Sequence, residues 1–420
     1  MTERTGLVVL SGATVVRPDR IDSDASIVID GDRIVDVVPG PGRFARGDAG
    51  AGDRHFRLDG QIVVPGFIDV HVHGAMGVDT LDGAGAVARL ADHLPRWGVT
   101  AFCPTTVACG PAALEPFLAE VAALRIAPPA HAARVLPAHL ESNFVNPEFR
   151  GAQPEGCLRR PSDAAAASLL PEDRSKSDPH AFAARDVLQI VDQHRADVGI
   201  FTMAPELEGG RDLLRALIAS GMRVSIGHSA ATFDQTQEAI AAGVRHATHL
   251  FNRMTPMTSR EPGIVGAVLG SEDVAAEVIC DGHHVHPATV HVAVASKGAA
   301  RVMAITDGTA GSGLPRGTRA KLGRRTIVVD DVARLEDGTM AGSVSTMAQA
   351  FACLVTRCGV DLVQAAAMCA TTPARELGLV GYGVIAPGMV ADLTVLSARL
   401  EVVQTWIAGR QVWTSARRPL

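Results

Sequence analysis

The chain has 420 residues, of which 47% are hydrophobic and 20% charged, a balance that excludes a disordered polymer and allows one large domain or two ordinary ones. A formal net charge of -6 leaves no basic excess to neutralise a phosphate backbone, which excludes a general nucleic-acid binder. Seven cysteines at scattered spacings, without a Cys-x-x-Cys pair, exclude a zinc ribbon and a disulfide framework.

The first 60 residues read as short strands at 7–10, 14–16, 26–30 and 33–38, punctuated by Gly12, Gly31-Asp32 and Pro39-Gly40-Pro41-Gly42. From 62 onward the pattern changes. Apolar runs of strand length at 62–70, 99–104, 135–140, 198–204, 223–227, 244–248, 275–280 and 301–306 alternate with helix-length stretches near 84–97, 111–124, 183–196, 209–220, 232–242 and 287–297. Eight repeats of strand and helix predict an α/β fold, a (β/α)8 TIM-like barrel, with a doubly wound open sheet as the alternative. A polar stretch at 158–181 breaks the rhythm and reads as an inserted loop. The C-terminus returns to short strands at 392–396, 402–407 and 411–413. Residues 1–61 and 378–420 are thus expected to form a small β-sandwich domain built from both termini, with 62–377 as the barrel. Met1–Leu10 lacks the pattern of a signal peptide and no run of eighteen apolar residues occurs, so a cytoplasmic protein without a membrane span is expected.

Metal-type side chains fall where the runs end. His71 and His73 close the first, and strand alternation puts them on one face. Glu141 closes the third, His228 the fifth, His249 the sixth and Asp307 the eighth. Strand C-termini of a barrel converge on one mouth, so six residues far apart in sequence would meet. Imidazole and carboxylate suit zinc and similar divalent ions, and Asp307 is suited to accept a proton from water and return it to a leaving nitrogen. Singly, each has a plainer reading: a strand-end His as a satisfied polar group, Glu141 as an ion-pair partner, Asp307 before Gly308 as a turn residue. Their joint placement at five of eight strand ends favours the metal. His139 alternates with Glu141 and could support it, whereas His246, three before His249, is expected on the opposite face. His55, His93, His131, His180, His194 and His291 are assigned structural or solvent-facing roles.

In these residues the chain resembles the amidohydrolase superfamily and, within it, the N-acetylglucosamine-6-phosphate deacetylase family. The resemblance runs through Val64-Pro65-Gly66-Phe67-Ile68-Asp69-Val70-His71-Val72-His73-Gly74, Leu140-Glu141, Ala204-Pro205-Glu206, Gly227-His228-Ser229, Thr248-His249-Leu250-Phe251-Asn252, Arg260-Glu261-Pro262-Gly263, Asp281-Gly282-His283-His284-Val285, Thr306-Asp307 and Ala341-Gly342-Ser343. It closes at Gly383-Val384-Ile385-Ala386-Pro387-Gly388-Met389-Val390-Ala391-Asp392-Leu393. It implies deacetylation of N-acetylglucosamine 6-phosphate to glucosamine 6-phosphate and acetate. Glu141, His228 and His249 would hold the principal ion, and His71 and His73 would allow a second. The ion expected is zinc, with iron, manganese or cobalt as alternatives. Asp307 would act as general base and then acid. Asn252 and His284 would contact the sugar, and Arg260 would hold the phosphate from the neighbouring subunit of a homodimer.

The chain departs from the family at Ser142 and Asn143, where Gly-Pro is usual, at Gln153, where a carbonyl-polarising histidine is usual, at Arg253, where a small or uncharged residue is usual, and at Gly308, where alanine is common. Gln153 can donate a neutral hydrogen bond but carries no charge. Two explanations remain: neutral drift, or Ser142, Asn143, Gln153 and Arg253 reshaping the pocket, with the insertion, for a different N-acylated anionic amine or amino sugar. Cyclic-amide hydrolases of the superfamily often bridge two metals with a carboxylated lysine; no lysine stands at the strand ends, which disfavours that branch. A catalytically inert barrel with a structural or binding role is the non-enzyme alternative, although the whole ligand set persists.

Overall fold

The computed structural model describes residues 6–40, 52–165 and 181–415. Eight strands form the barrel: β1 (Phe67–Val72), β2 (Val99–Thr106), β3 (Ala138–Glu141), β4 (Val198–Met203), β5 (Val224–Ile226), β6 (His246–Ala247), β7 (Ala275–Ile279) and β8 (Val302–Ile305). Each pairs in parallel with the next. The ring closes between β8 and β1, where the Asp307 amide donates to the His71 carbonyl at 2.9 Å and the His73 amide to the Gly308 carbonyl at 2.7 Å. Across the same seam the Thr306 hydroxyl donates to the Asp69 carboxylate at 2.6 Å. Burial pushes the Asp69 carboxyl up to about 6, with the bonds from Thr306 and the His71 amide opposing.

Helices α1 (Ala86–His93), α2 (Pro111–Ile126), α3 (Ala184–Gln193), α4 (Gly210–Ala219), α5 (Phe233–Ala242), α6 (Gly263–Leu269), α7 (Pro287–Lys297) and α8 (Met347–Thr356) cover the outside. Local chemistry sets their ends. At α5, Thr232 and Gln235 bond each other's backbone amides in a capping box. The helix expected over 84–97 narrows to a 3₁₀ turn at Leu94–Trp97, because Pro95 enters it and Gly98 ends it at φ 80°. Helix α6 was absent from the expectation because its seven residues, Gly-Ile-Val-Gly-Ala-Val-Leu, have no polar face to show a helical period.

Outward-facing strand residues and the helices share one large core, while Ile200, Ala275, Ile279, Met303 and Ile305 cluster separately. Ala275 and Ile279 share a strand face with Glu277, and Met303 and Ile305 share one with Asp307, so this second cluster plugs the barrel beneath the metal-type groups. After β8 a three-stranded antiparallel meander (Arg319–Leu322, Arg325–Val329, Ala333–Leu335) folds over its own small core. Nothing in the strand-helix rhythm announced it.

Both termini build one mixed eight-stranded sheet in the order 410–414, 402–407, 393–396, 62–65, 8–16, 21–30, 33–38, with Arg54–Arg57 beside Val8–Val16. Leu10, Val15, Ile27, Val395 and Trp406, from both arms, meet in a single core. The barrel boundary expected at 61/62 falls after Pro65 instead, since Ile62–Pro65 pairs antiparallel with Leu393–Leu396. Gly66 is the break: its amide donates to the Asp392 carbonyl at 2.9 Å, and the Asp392 carboxylate pairs with Arg134 at 2.7 Å. This gives the closing Ala391-Asp392-Leu393 motif a physical role, tying sheet to barrel. Of the expected insertion, 158–165 is described and ends in a 3₁₀ turn at Pro161–Ala165; 166–180 lies outside the described residues, as do Pro41, Gly42 and His180.

A β-carbon on Gly66 would stand 2.3 Å from the Thr100 side chain. Gly66→Ala is therefore expected to destabilise the protein by about 1–3 kcal/mol through overpacking. Urea unfolding measures it, and an unchanged midpoint would contradict the close approach.

Candidate metal centre and substrate cavity

The six residues singled out at strand ends do converge, and all are buried. Three of them leave their strands in the left-handed region: His228 at φ 48°, His249 at φ 30° and Asp307 at φ 47°. Non-glycine residues there carry strain of order 1–3 kcal/mol each, which surrounding contacts must hold. The turn tips each side chain over the barrel axis. It also corrects the expectation for His246. Strand β6 ends at Ala247, so strict alternation does not reach His249, and the His246 ring points inward to Glu277 at 2.8 Å.

The ligand atoms form two triangles. Glu141 Oε1 lies 3.0 Å from His228 Nε2 and 2.9 Å from His249 Nε2, and the two nitrogens are 3.0 Å apart. His71 Nε2 and His73 Nε2 are 3.2 Å apart and stand 3.4 and 3.2 Å from Asp307 Oδ1. Tetrahedral zinc with ligands at about 2.0–2.1 Å places them about 3.3 Å from one another, so both donor sets fit a divalent ion. The Glu141 carboxylate joins the triangles, its Oε2 standing 3.5 Å from His73 Nε2.

Two of the four imidazoles are also held from behind, whereas His73 Nδ1 and His249 Nδ1 are buried without a partner among the described residues. His228 Nδ1 faces the Phe149 carbonyl at 2.8 Å and His71 Nδ1 faces Glu277 at 2.9 Å, which leaves each Nε2 lone pair to the centre. Glu277 also bonds His246 and accepts the His249 amide at 3.3 Å. Sequence reasoning missed this residue. Its signal was one carboxylate inside the otherwise apolar Ala-Ala-Glu-Val-Ile of β7. His139, placed beside Glu141 by alternation, is neutral: burial pulls its pKa down to about 3. Its Nδ1 faces the Val70 carbonyl, and Nε2 accepts from Thr202, which continues to Thr248 and Ser225 in a buried hydroxyl chain. His71, His139 and Glu277 also lie close enough to ligate, but His71 Nδ1 bonds Glu277 and His139 Nδ1 bonds the Val70 carbonyl, so they buttress the centre.

Burial opposes the charge on Glu141, Glu277 and Asp307, yet neighbouring imidazoles hold all three below the ordinary carboxylate range. Conversely, burial opposes the charge on His73 and His249, but Asp307 and Glu141 raise the first to about 10, and Glu141 raises the second to about 9. Such a cluster holds positive charge tightly, and a divalent cation supplies it more compactly than protons do.

Above the centre is a cavity of about 450 Å³ lined by Gln153, Asn252, Arg253 and His284 among others, with Leu322 and Met340 of the meander region in its wall. Asn252 Nδ2 donates to the His249 carbonyl at 3.3 Å, and His284 is held by Asp281 at 2.6 Å. Gln153 accepts the Ala108 amide at 2.7 Å, which fixes its amide so that Nε2 donates to Glu141 Oε2. Arg253 is exposed at the rim and packs over Gly151. Arg260 is exposed and lies outside the cavity of its own chain. Two expected pocket-shapers are not in the wall. Ser142 donates to the Thr202 carbonyl at 2.6 Å, and Asn143 to the carbonyls of Cys109 and Cys157, so both brace backbone behind the site.

A parallel barrel with imidazole and carboxylate donors at its C-terminal mouth, beneath a polar cavity, defines a hydrolase of the metal-binding barrel class. The model of the Amidohydrolase family matches residues 62–412, and the chain belongs to that family. It is 34% identical to N-acetylgalactosamine-6-phosphate deacetylase of Escherichia coli O157:H7 over 354 residues, 84% of this chain and 88% of that protein. It is 33% identical to N-acetylglucosamine-6-phosphate deacetylase of Mus musculus, over 97% of this chain and 95% of that protein. Among solved structures, a mutant N-acetyl-D-glucosamine-6-phosphate deacetylase of Mycobacterium smegmatis, in complex with N-acetyl-D-glucosamine-6-phosphate, superposes with a TM-score of 0.83 at 30% identity, covering 97% of this chain and 100% of that one. The Thermotoga maritima enzyme gives 0.80 at 29%, with the same coverage.

Removing the acid that orients His71 and bonds the His249 amide should weaken the centre without touching a ligand. Glu277→Gln is expected to lower divalent-ion affinity about 10–100-fold in a chelator-competition titration. Wild-type affinity in this variant would contradict the role assigned to Glu277.

Proposed function

We propose that the protein hydrolyses the acetamide of N-acetylglucosamine 6-phosphate, giving glucosamine 6-phosphate and acetate. The observation that carries this is the pair of donor triangles beneath a cavity walled by Asn252, His284 and Gln153. Glu141, His228 and His249 would hold a divalent ion, and His71, His73 and Asp307 a second, which when bound would supply Lewis acidity toward the amide carbonyl and water. Zinc suits the donors best; iron, manganese and cobalt are accepted by the same atoms.

The chain's own groups do the rest. Asp307 is ionised, so its carboxylate can take the proton released as water oxygen bonds the acetyl carbon. As the carbon–nitrogen bond breaks, the same proton passes to the departing amine. Asn252 and His284 orient the sugar. Gln153 holds Glu141 and offers its remaining N–H as a neutral donor, in place of a charged group. Arg260, exposed and outside the cavity of its own chain, would hold the phosphate bound by a neighbouring subunit of a homodimer. Among the described residues no helix is long and apolar enough to cross a membrane, and all seven cysteines are free and buried.

The identity to the N-acetylgalactosamine-6-phosphate deacetylase favours a second reading, in which the substrate is the C4 epimer or both sugars are accepted. A panel of both N-acetylhexosamine 6-phosphates and their unphosphorylated forms, assayed with zinc, separates the readings. Turnover of at least one phosphorylated sugar is expected, and none on either would overturn the proposal. Asp307→Asn is expected to lower kcat by about 10²–10⁴-fold, the range for losing a positioned acid–base group. Retention of wild-type kcat would remove Asp307 from the chemistry. Gln153→His tests the departure in the wall: a gain in kcat is expected if lost polarisation limits the rate, and no change would show that this position does not tune the reaction.

A further inference from the structure

At the opposite end of the barrel, among the N-terminal ends of the strands, lies a cavity of about 980 Å³ lined by Arg125, Arg134, Arg223, Arg245, Arg301 and Arg375. The carboxylates in its wall are Glu376 and Asp273. Arg301 and Arg375 share Glu376, at 3.4 and 2.8 Å, while Arg134 is taken by Asp392 and Arg125 by Asp197. Two guanidinium groups remain. Arg245 donates only to the carbonyls of Ile240 and Val244, at 2.8 Å each. Arg223 makes no side-chain hydrogen bond or ion pair among the described residues, although it is half-buried. Burial lowers its pKa, and Glu376 is the main opposing charge. Two cations without a carboxylate partner, Arg223 half-buried and Arg245 exposed, thus face a cavity more than twice the volume of the one above the metal centre, an arrangement suited to an anionic ligand.

We infer that this cavity is a second ligand site that binds a phosphate-bearing small molecule. The guanidinium fork matches phosphate oxygens two at a time, and a phosphate dianion balances the two unpartnered charges. The volume leaves space for a body of sugar size beyond the phosphate. The site is distinct from the metal centre but shares its strands. Arg223 precedes β5, Arg245 precedes β6 and Arg301 precedes β8; these strands lead to His228, His249 and Asp307. A phosphate gripped by Arg223 and Arg245 ties together β5 and β6, whose far ends carry His228 and His249, so binding stabilises the fold. Arginines of purely structural value would instead change stability equally with and without phosphate.

The test is thermal unfolding of the full-length, zinc-loaded protein against inorganic phosphate, and separately against glucosamine 6-phosphate, at constant ionic strength set with chloride. A saturable rise in Tm is expected. Arg223→Gln is expected to weaken the phosphate midpoint by about tenfold or more, the loss of one charge-assisted bidentate contact, while metal content and circular dichroism stay unchanged. Arg245→Gln repeats the test should the first variant fail to fold. A sugar phosphate that outbinds inorganic phosphate in the wild type but not in the variants identifies a phosphorylated sugar as the ligand; equal midpoints identify phosphate alone as sufficient. No saturable rise, or wild-type midpoints in both variants, overturns the inference, the latter because the phosphate then sits at the metal centre.

Discussion

Three carboxylates, Glu141, Glu277 and Asp307, are buried at one end of this barrel, and burying charge without compensation is among the costliest things a fold can do. Six buried imidazoles, those of His71, His73, His139, His228, His246 and His249, surround them. The cluster works only if every member is held in register, and much of the architecture serves that end. The Asp69–Thr306 bond and the His71–Asp307 backbone bond close the ring where the last ligand must meet the first. The left-handed backbone at His228, His249 and Asp307 aims their side chains inward. Glu277, on β7, then fixes His71 of β1 together with His246 of β6 and the His249 backbone just beyond it.

Much of this was legible in the sequence because strand ends and metal-type residues coincide, and a barrel sends all its strand ends to one place. What stayed hidden had physical causes. Glu277 sits mid-strand, where a carboxylate looks like an exception rather than a feature. His246 was assigned the wrong face because strand geometry stops at Ala247, before the residue whose position was extrapolated. Ser142 and Asn143 stood out as departures from the family's usual Gly-Pro and were weighed as reshaping the pocket, yet their side chains bond backbone behind Glu141. In the sequence 62–70 reads as one run, apolar but for Asp69, and only Gly66, with its close approach to Thr100, divides sheet from barrel. The meander escaped because three short strands give no helix-length partner to complete a repeat.

The two ends of the barrel carry opposite electrostatic problems. At the C-terminal mouth acids and imidazoles lack a compact positive charge, and at the N-terminal mouth arginines lack enough acids. The strands link the two through stiff, parallel pairing. Between them Ile200, Ala275, Ile279, Met303 and Ile305 form an apolar plug that keeps the two polar ends apart. Membership in the amidohydrolase family accounts for the first end. The second end, like the bond from Gln153 to Glu141, is read from this chain's own residues.

Glu141, His228 and His249 are proposed to share one divalent cation on which turnover depends. Anomalous diffraction from crystals of the zinc-loaded protein decides the matter. The expected result is an anomalous peak equidistant from Glu141 Oε1 and the two Nε2 atoms, lost together with activity in Glu141→Ala. Crystals with no peak there, or an Ala variant that keeps both ion and turnover, would contradict it.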